Sequence, residues 1–376
     1  MSSPVYQADF LQKPGKGPRA SSAAFRVKGT TMSDTEFIDL PHMDPDSWAE
    51  YVEAQGWTDG MPLVPPEEVA VTRMLDGARG DNEPFAAITP RLIAPTLRSL
   101  AANAVMAGCR PTYFPVVLAA LRGVLVADYN LHGTLATTHS CAPMAMVNGP
   151  LRQALNINCG GNCFGQGWRA NACIGRALQL ILNNVGGAKP GVMDRSTFGS
   201  PAKYTFCFGE NEEDSPFAPY HVRHGFREDE SVVTVMSAEP NHNLNDHGST
   251  TGEGLLTTFA GGIASPAANT ISAKGPYFIV LGPEHAATLA RDKWTVEAIQ
   301  QFLYDKARVP LTEVSMENRA RYEEAGHMPE NDSYRVAPTP DDIHVAVAGG
   351  PGKHSAWIPS FGGTAAISIR VKPPAG

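Results

Sequence analysis

The chain has 376 residues, a formal net charge of -8, 43% hydrophobic residues and 18% charged residues. A chain of this length buries a large core, as one large domain or two closely packed ones, and its acidic balance excludes the basic face that nucleic acid requires. No apolar run approaches the roughly 20 residues that span a bilayer, so no membrane partner is expected.

Residues 1–34 read as a disordered or surface-draped arm, because they are rich in Ser, Gly and Pro and basic through Lys13, Lys16, Arg19, Arg26 and Lys28. No signal peptide is recognised there, and Met32 offers an alternative start. Residues 35–376 read as one α/β region with a subdivision near 190–270. Asp44 or Asp46 caps a first helix that carries Trp48, Tyr51 and Val52 and ends near Gly56. Pro65-Pro66 opens a short second helix. Arg91 to Ala107 and Tyr113 to Val126 read as two buried helices, since both are apolar around much of their circumference.

Met144 to Val147 suits a buried strand, and Trp168 onward suits an amphipathic helix. Further strands are expected at Tyr204–Phe208, Ser231–Met236, Tyr277–Leu281, His344–Ala348 and Ala365–Val371. Helices are expected after Gly282-Pro283 and at Trp294–Lys306, with polar loops at 240–254 and 349–355. Helices and strands alternate with no internal repeat, which predicts an α/β protein with a mixed sheet and helices packed on it.

Four of the six cysteines fall between Thr137 and Gly187. Six thiols are too few for a disulfide scaffold in a chain this long, so they are expected reduced, in a cytoplasm. Cys159 and Cys163 sit in the glycine-rich loop CGGNCFGQG, with His139 and Cys141 just before the strand. Thiolates are soft ligands, so Cys141, Cys159 and Cys163 are candidate ligands for an Fe–S centre, Zn or Cu. Alternatively Cys159 or Cys163 is a nucleophile resolved by a second thiol, or the cysteines only fill a tight turn. Gly160 and Gly161 allow backbone N–H groups to face an anion, and Arg169 and Asn171 at the following helix would complete that site.

The run GGPGKHS resembles a phosphate loop but fails its spacing, leaving Lys353 as a candidate anion contact. His247 is a candidate base oriented by Asp246, and His139 could also move protons. Cys109 and Cys207 read as buried thiols, and Cys173 as core packing.

The stretches WTDGMPLVPP, NAVMAGCRPTYFPVVLAAL, GWRANACIGRALQLILNNVGG, KYTFCFGENEEDSPF, NDHGS, GPEHAATLARDKW and GGPGKHS resemble a bacterial family of large proteins. Its members often occur near small UGSC-motif (seleno)proteins, and some are labelled thiol-disulfide or thioredoxin-like. The resemblance covers most of the chain from Trp57 onward. It implies that Cys109, Arg169, Asn171, Cys207, Glu212, Asp246, His247 and Lys353 belong to a shared pattern, with Cys141, Cys159 and Cys163 particular to this branch. It also implies a small thiol or selenol protein as a partner.

Together these features lead to the expectation of an enzyme, oxidoreductase or lyase and homo-oligomeric, acting on a small anionic organic molecule by thiolate chemistry. The alternatives are a non-catalytic partner subunit of a thiol or selenol protein, and a metal-independent hydrolase or lyase using Asp246 and His247.

Overall fold

A computed structural model of the protein describes residues 24–27, 38–41 and 43–374. Most of the expected N-terminal arm lies outside those residues. Strand β1 (Ala24–Val27), within the arm, pairs antiparallel with β2 (Ile38–Pro41), beyond it. The remaining strands are β3 (Ala142–Asn148), β4 (Cys207–Gly209), β5 (Val232–Ala238), β6 (His242–Asn245) and β7 (Tyr277–Leu281). They continue with β8 (Arg308–Pro310), β9 (Ser333–Arg335), β10 (Ile343–Val347), β11 (His354–Pro359) and β12 (Ile367–Arg370). The fold is α/β, and it holds two mixed four-stranded sheets, ordered β12-β5-β3-β4 and β10-β7-β11-β6.

Period-two side-chain alternation explains how the layers stack. Along β3, Ala142, Met144 and Met146 pack with Phe278 and Val280 of β7 and Ile358 of β11, so the two sheets face each other. Ala145 and Val147 point the other way, onto the helices Phe114–Val124 and Arg169–Ile181. On β7, Ile279 and Leu281 turn outward onto Gly252–Ile263 and Val296–Lys306. The layers therefore run helix, sheet, sheet, helix. Met144 and Met146 are fully buried, and each such side chain contributes about 1.5–3 kcal/mol of burial.

The sheets repeat one pattern. A central strand, β3 or β7, has a parallel neighbour on one side, β4 or β10. On the other side lies an antiparallel neighbour, β5 or β11. The fourth strand is exchanged: β6 follows β5 but pairs with β11, and β12 follows β11 but pairs with β5. The halves meet where Ala238 bridges Ser360, with Glu239 N donating to Pro359 O at 2.8 Å and Phe361 N to Ser237 O at 3.0 Å. The recurrence lies in strand order alone, and the side chains do not spell it out as a sequence repeat.

Several boundaries also shift. The helix expected from Arg91 begins at Leu97, because Pro95 disfavours helix before it and Thr96 supplies a side-chain cap to Ser99 N. The strand expected at Tyr204 begins at Cys207, after a turn at Pro201–Lys203. The loops expected at 240–254 and 349–355 contain β6 and the start of β11.

Among the described residues no single helix is long and apolar enough to cross a membrane. One bent pair, Pro111–Val124 with Ala127–Ala136, passes by length and composition alone, and its first member is core, with Val116, Val117 and Leu121 fully buried.

Candidate functional site

The thiols expected to act together lie in two places. Cys141 precedes β3, whereas Cys159 packs against Gly209, which pairs with Val147 near the other end of that strand. The strand rise of ~3.3 Å per residue between 141 and 147 separates them by roughly 20 Å. Among the described residues no group of three or more His, Cys, Asp or Glu side chains is placed to hold a metal ion. Cys141, Cys159 and Cys163 thus do not form the ligand set expected for Fe–S, Zn or Cu.

Just before β3, His139 and Cys141 lie two positions apart in an irregular segment, with the thiol near the ring. The register that pairs Ala142 with Ala238 brings Glu239, the next residue beyond β5, opposite them. His139 Nε2 lies 2.8 Å from Glu239 Oε1. His139 Nδ1 is buried with no well-aligned hydrogen-bond partner, and the Cys141 sulfur is close enough to act on the ring. Burial opposes the imidazolium, but Cys141 and Glu239 outweigh it and hold the His139 pKa at about 9. Cys141 is 1% exposed, and its thiol donates to Thr134 O at 3.7 Å. Ser196 Oγ donates to His139 O at 2.7 Å and Ser200 Oγ to Ser140 O at 3.2 Å, tying the 196–200 loop to this segment.

Cys141 also lines a cavity of about 860 Å³, bounded further by Gln179, Lys189, Ser196, Phe198 and Tyr204. That volume is in the range of small-molecule sites. A thiol, an imidazole and a carboxylate in succession beside such a cavity are the parts of an activated cysteine nucleophile.

At the far end of β3 and β4 lies a second polar cluster. Arg152 Nη1 donates to Cys159 Sγ at 3.2 Å, and Arg152 Nη2 pairs with Glu213 at 2.5 Å. Burial raises the Cys159 pKa, with Arg152 opposing. Cys163 is pushed up to about 12, first by burial and then by Cys159 nearby. Glu210, buried and accepting from Tyr220 N and Asn148 Nδ2, is raised to about 7 by its burial. Glu212 accepts from Gly149 N at 2.7 Å, and the fully buried His221 sits 3.9 Å away from it.

The expected anion-binding groups are occupied by the fold itself. Arg169 donates from Nε and Nη2 to Gly108 O at 3.0 and 2.8 Å. Asn171 accepts from Asn158 N and donates to Asn158 O and Cys163 O, which clamps the cysteine loop. Gly160 N donates to Asn158 Oδ1 at 3.0 Å. Gly161 packs against Gly350, where a Cβ would come 2.8 Å from the Gly161 Cα. Lys353 Nζ donates to His247 O at 3.2 Å.

The Asp246 carboxylate accepts from Gly248 N, Ser249 N and Ser249 Oγ and so builds its own turn. His247 faces His354, with Nε2 atoms 3.4 Å apart. Asp246 therefore does not orient His247 as a base.

The sequence offers His139 and Cys141 as candidates but not Glu239, which becomes their neighbour only through the pairing of β3 with β5. Nor does it offer Arg152 and Glu213 beside Cys159. Compared with protein-family models, curated proteins and solved structures, the chain finds no match.

Proposed function

We propose that the chain is a thiol-dependent enzyme that cleaves a carbon–heteroatom bond of a small molecule, with Cys141 as nucleophile. The observation that carries this reading is the Cys141–His139–Glu239 succession beside the 860 Å³ cavity. With the proton held on the His139 imidazolium, Cys141 adds as thiolate to the electrophilic carbon of the substrate. The bond from that carbon to its heteroatom breaks, and the leaving group takes the proton from the imidazolium. Water, giving a proton back to His139, then releases the carbon from sulfur. Glu239 is a positioning residue that orients the ring and stabilises its positive charge. The step needs no oxidant, and the nearest expected resolving thiols lie roughly 20 Å away by strand length. All six cysteines are free thiols, which suits a reducing cytoplasm.

Native protein treated with iodoacetamide over pH 5–10, with peptide mass mapping, tests this. Cys141 is expected to alkylate ahead of Cys109, Cys163 and Cys207, and His139→Ala to slow it more than tenfold. A Cys141 that stays unmodified while Cys159 reacts overturns the proposal.

A second reading keeps redox work at the far end, where Cys159 meets Arg152 at 3.2 Å and lies close to Cys163. A thiol or selenol protein partner would act there. Under that reading Cys159→Ser, and not Cys141→Ser, removes disulfide exchange with a small-molecule disulfide.

A further inference from the structure

The cavity that reaches Cys141 also has a cationic wall. Lys189 Nζ donates to Gly56 O at 2.5 Å, and Arg91, whose Nη1 donates to Asn184 O at 2.8 Å, stands close enough to repel it. Burial and the Arg91 charge together lower the Lys189 pKa. Among the described residues neither cation has a carboxylate at ion-pair distance. The other acids around the cavity are engaged or remote. Asp59 is held by Arg176 through two 2.8 Å hydrogen bonds, and Asp194 pairs with Lys203 at 2.7 Å. Glu53 stands exposed on the rim.

An independent observation lies on the same lining. Gln179 is 7% exposed, and its amide nitrogen is buried with no hydrogen-bond partner. A partly buried ammonium lacking a counter-ion and a buried amide donor lacking an acceptor ask for the same thing, an oxygen anion.

We infer that Lys189 and Gln179 form a carboxylate-binding subsite, so the substrate class is a small carboxylic acid whose carboxylate rests there while its electrophilic carbon meets Cys141. The reacting end of this assignment rests on the thiol reading above, and the carboxylate end stands on its own residues. Ordinary favourable geometry follows from the lining: Leu135 and Pro143 supply apolar surface beside Cys141, and Phe198, 95% exposed, offers a ring at the mouth. In place of the anion contacts expected at Arg169 and Lys353, this cavity offers an ammonium with no carboxylate beside it and an amide nitrogen with no acceptor.

Two reagents that differ only in charge test the inference. The ratio of alkylation rates at Cys141 for iodoacetate over iodoacetamide is expected to exceed that of free cysteine at least tenfold. Lys189→Met should return the ratio to the free-cysteine value, and Lys189→Arg should keep most of it. In parallel, thermal shift of the Cys141→Ser protein is expected to respond to phenylacetate and not to phenylacetamide, with the response lost in Cys141→Ser/Lys189→Met. Phenylacetate binding without any Cys141 alkylation would remove the thiol reading and leave the carboxylate subsite standing. A free-cysteine rate ratio, or a phenylacetate shift that survives Lys189→Met combined with Gln179→Leu, overturns the subsite.

Discussion

The two halves of the sandwich share a strand pattern and differ in what stands at one equivalent corner. With Ala238 and Ser360 facing each other across the junction, Glu239 corresponds to Phe361. Tyr277 pairs with Pro359 as Pro143 pairs with Ser237, so Cys141 corresponds to Gly275 and His139 to Ala273. In the first half the corner holds a thiol, an imidazole and a carboxylate beside a cavity. In the second half a Cβ on Gly275 would lie 2.5 Å from Ser360 Oγ and 2.6 Å from Gly362 Cα, so backbone already fills the place. The frame alone therefore does not make the site. The chemistry needs space as well as residue type, and only the first half keeps both.

The largest effect should separate the halves most sharply. Cys141→Ser is expected to lower turnover of a small carboxylic acid substrate at least ~1000-fold, about 4 kcal/mol of transition-state stabilisation. Cys159→Ser should leave turnover within about twofold. Steady-state kinetics of the two variants decides it, and comparable losses in both would dissolve the contrast between the two ends of β3.

Next in size is Glu239→Gln, expected to slow Cys141 alkylation by ~10–100-fold, about 1.4–2.7 kcal/mol. The pH dependence follows from His139, whose folded pKa of about 9 exceeds the ~6.5 of a free imidazole. A raised pKa means that its charged partnership stabilises the fold fully below pH ~6.5 and is lost as pH rises through about 9. Glu239→Gln should bring the His139 midpoint down, read by NMR of the ring C–H, and shrink that window from its upper end. An unmoved midpoint would mean that the carboxylate does not act on the ring.

Gly275→Ala probes the second half. The new Cβ meets the backbone of Gly362, which has no flexible end to swing away, so a loss of about 1–3 kcal/mol in unfolding free energy is expected. Chemical denaturation measures it. An unchanged stability would show that the corner has room, and that its lack of chemistry comes from residue type alone.

The sequence made some of this legible and concealed the rest for identifiable reasons. Tyr277–Leu281 reads as a strand because five apolar residues lie between turn signals, and its observed bounds agree. His139-x-Cys141 was visible as a pair because the two residues are near neighbours in sequence. Glu239 was not, since it becomes a neighbour through the register of two strands some 90 residues apart in sequence. Strand β11 was hidden behind the glycines of GGPGKHS, although Ser355 to Pro359 are all buried. The glycine loop CGGNC drew attention for its thiols, yet its conformation serves packing: Gly349 N donates to Cys159 O at 2.8 Å, and Gly161 meets Gly350 backbone to backbone. Lys189 and Gln179 carried no motif at all, because what marks them appears only after folding: an ammonium with no carboxylate at ion-pair distance and an amide nitrogen with no acceptor.

Arg169 gives the smallest and most discriminating test of that last point. At a helix start beside a glycine loop, an arginine resembles an anion receptor by every local rule. Its guanidinium instead donates twice to Gly108 O, at the turn between the helices Leu97–Met106 and Phe114–Val124. Gly108 has φ +84°, so this turn exposes a carbonyl that no helix partner satisfies, and Arg169 supplies the donor. Arg169→Ala should therefore cost about 1 kcal/mol of stability and leave the iodoacetate-to-iodoacetamide ratio at Cys141 unchanged, whereas Lys189→Met should do the reverse. A charged donor whose acceptor is already inside the protein contributes to folding. One that has a backbone acceptor but no counter-ion, as Lys189 has with Gly56 O, keeps donors and charge for a ligand, and the two variants measured side by side distinguish these cases directly.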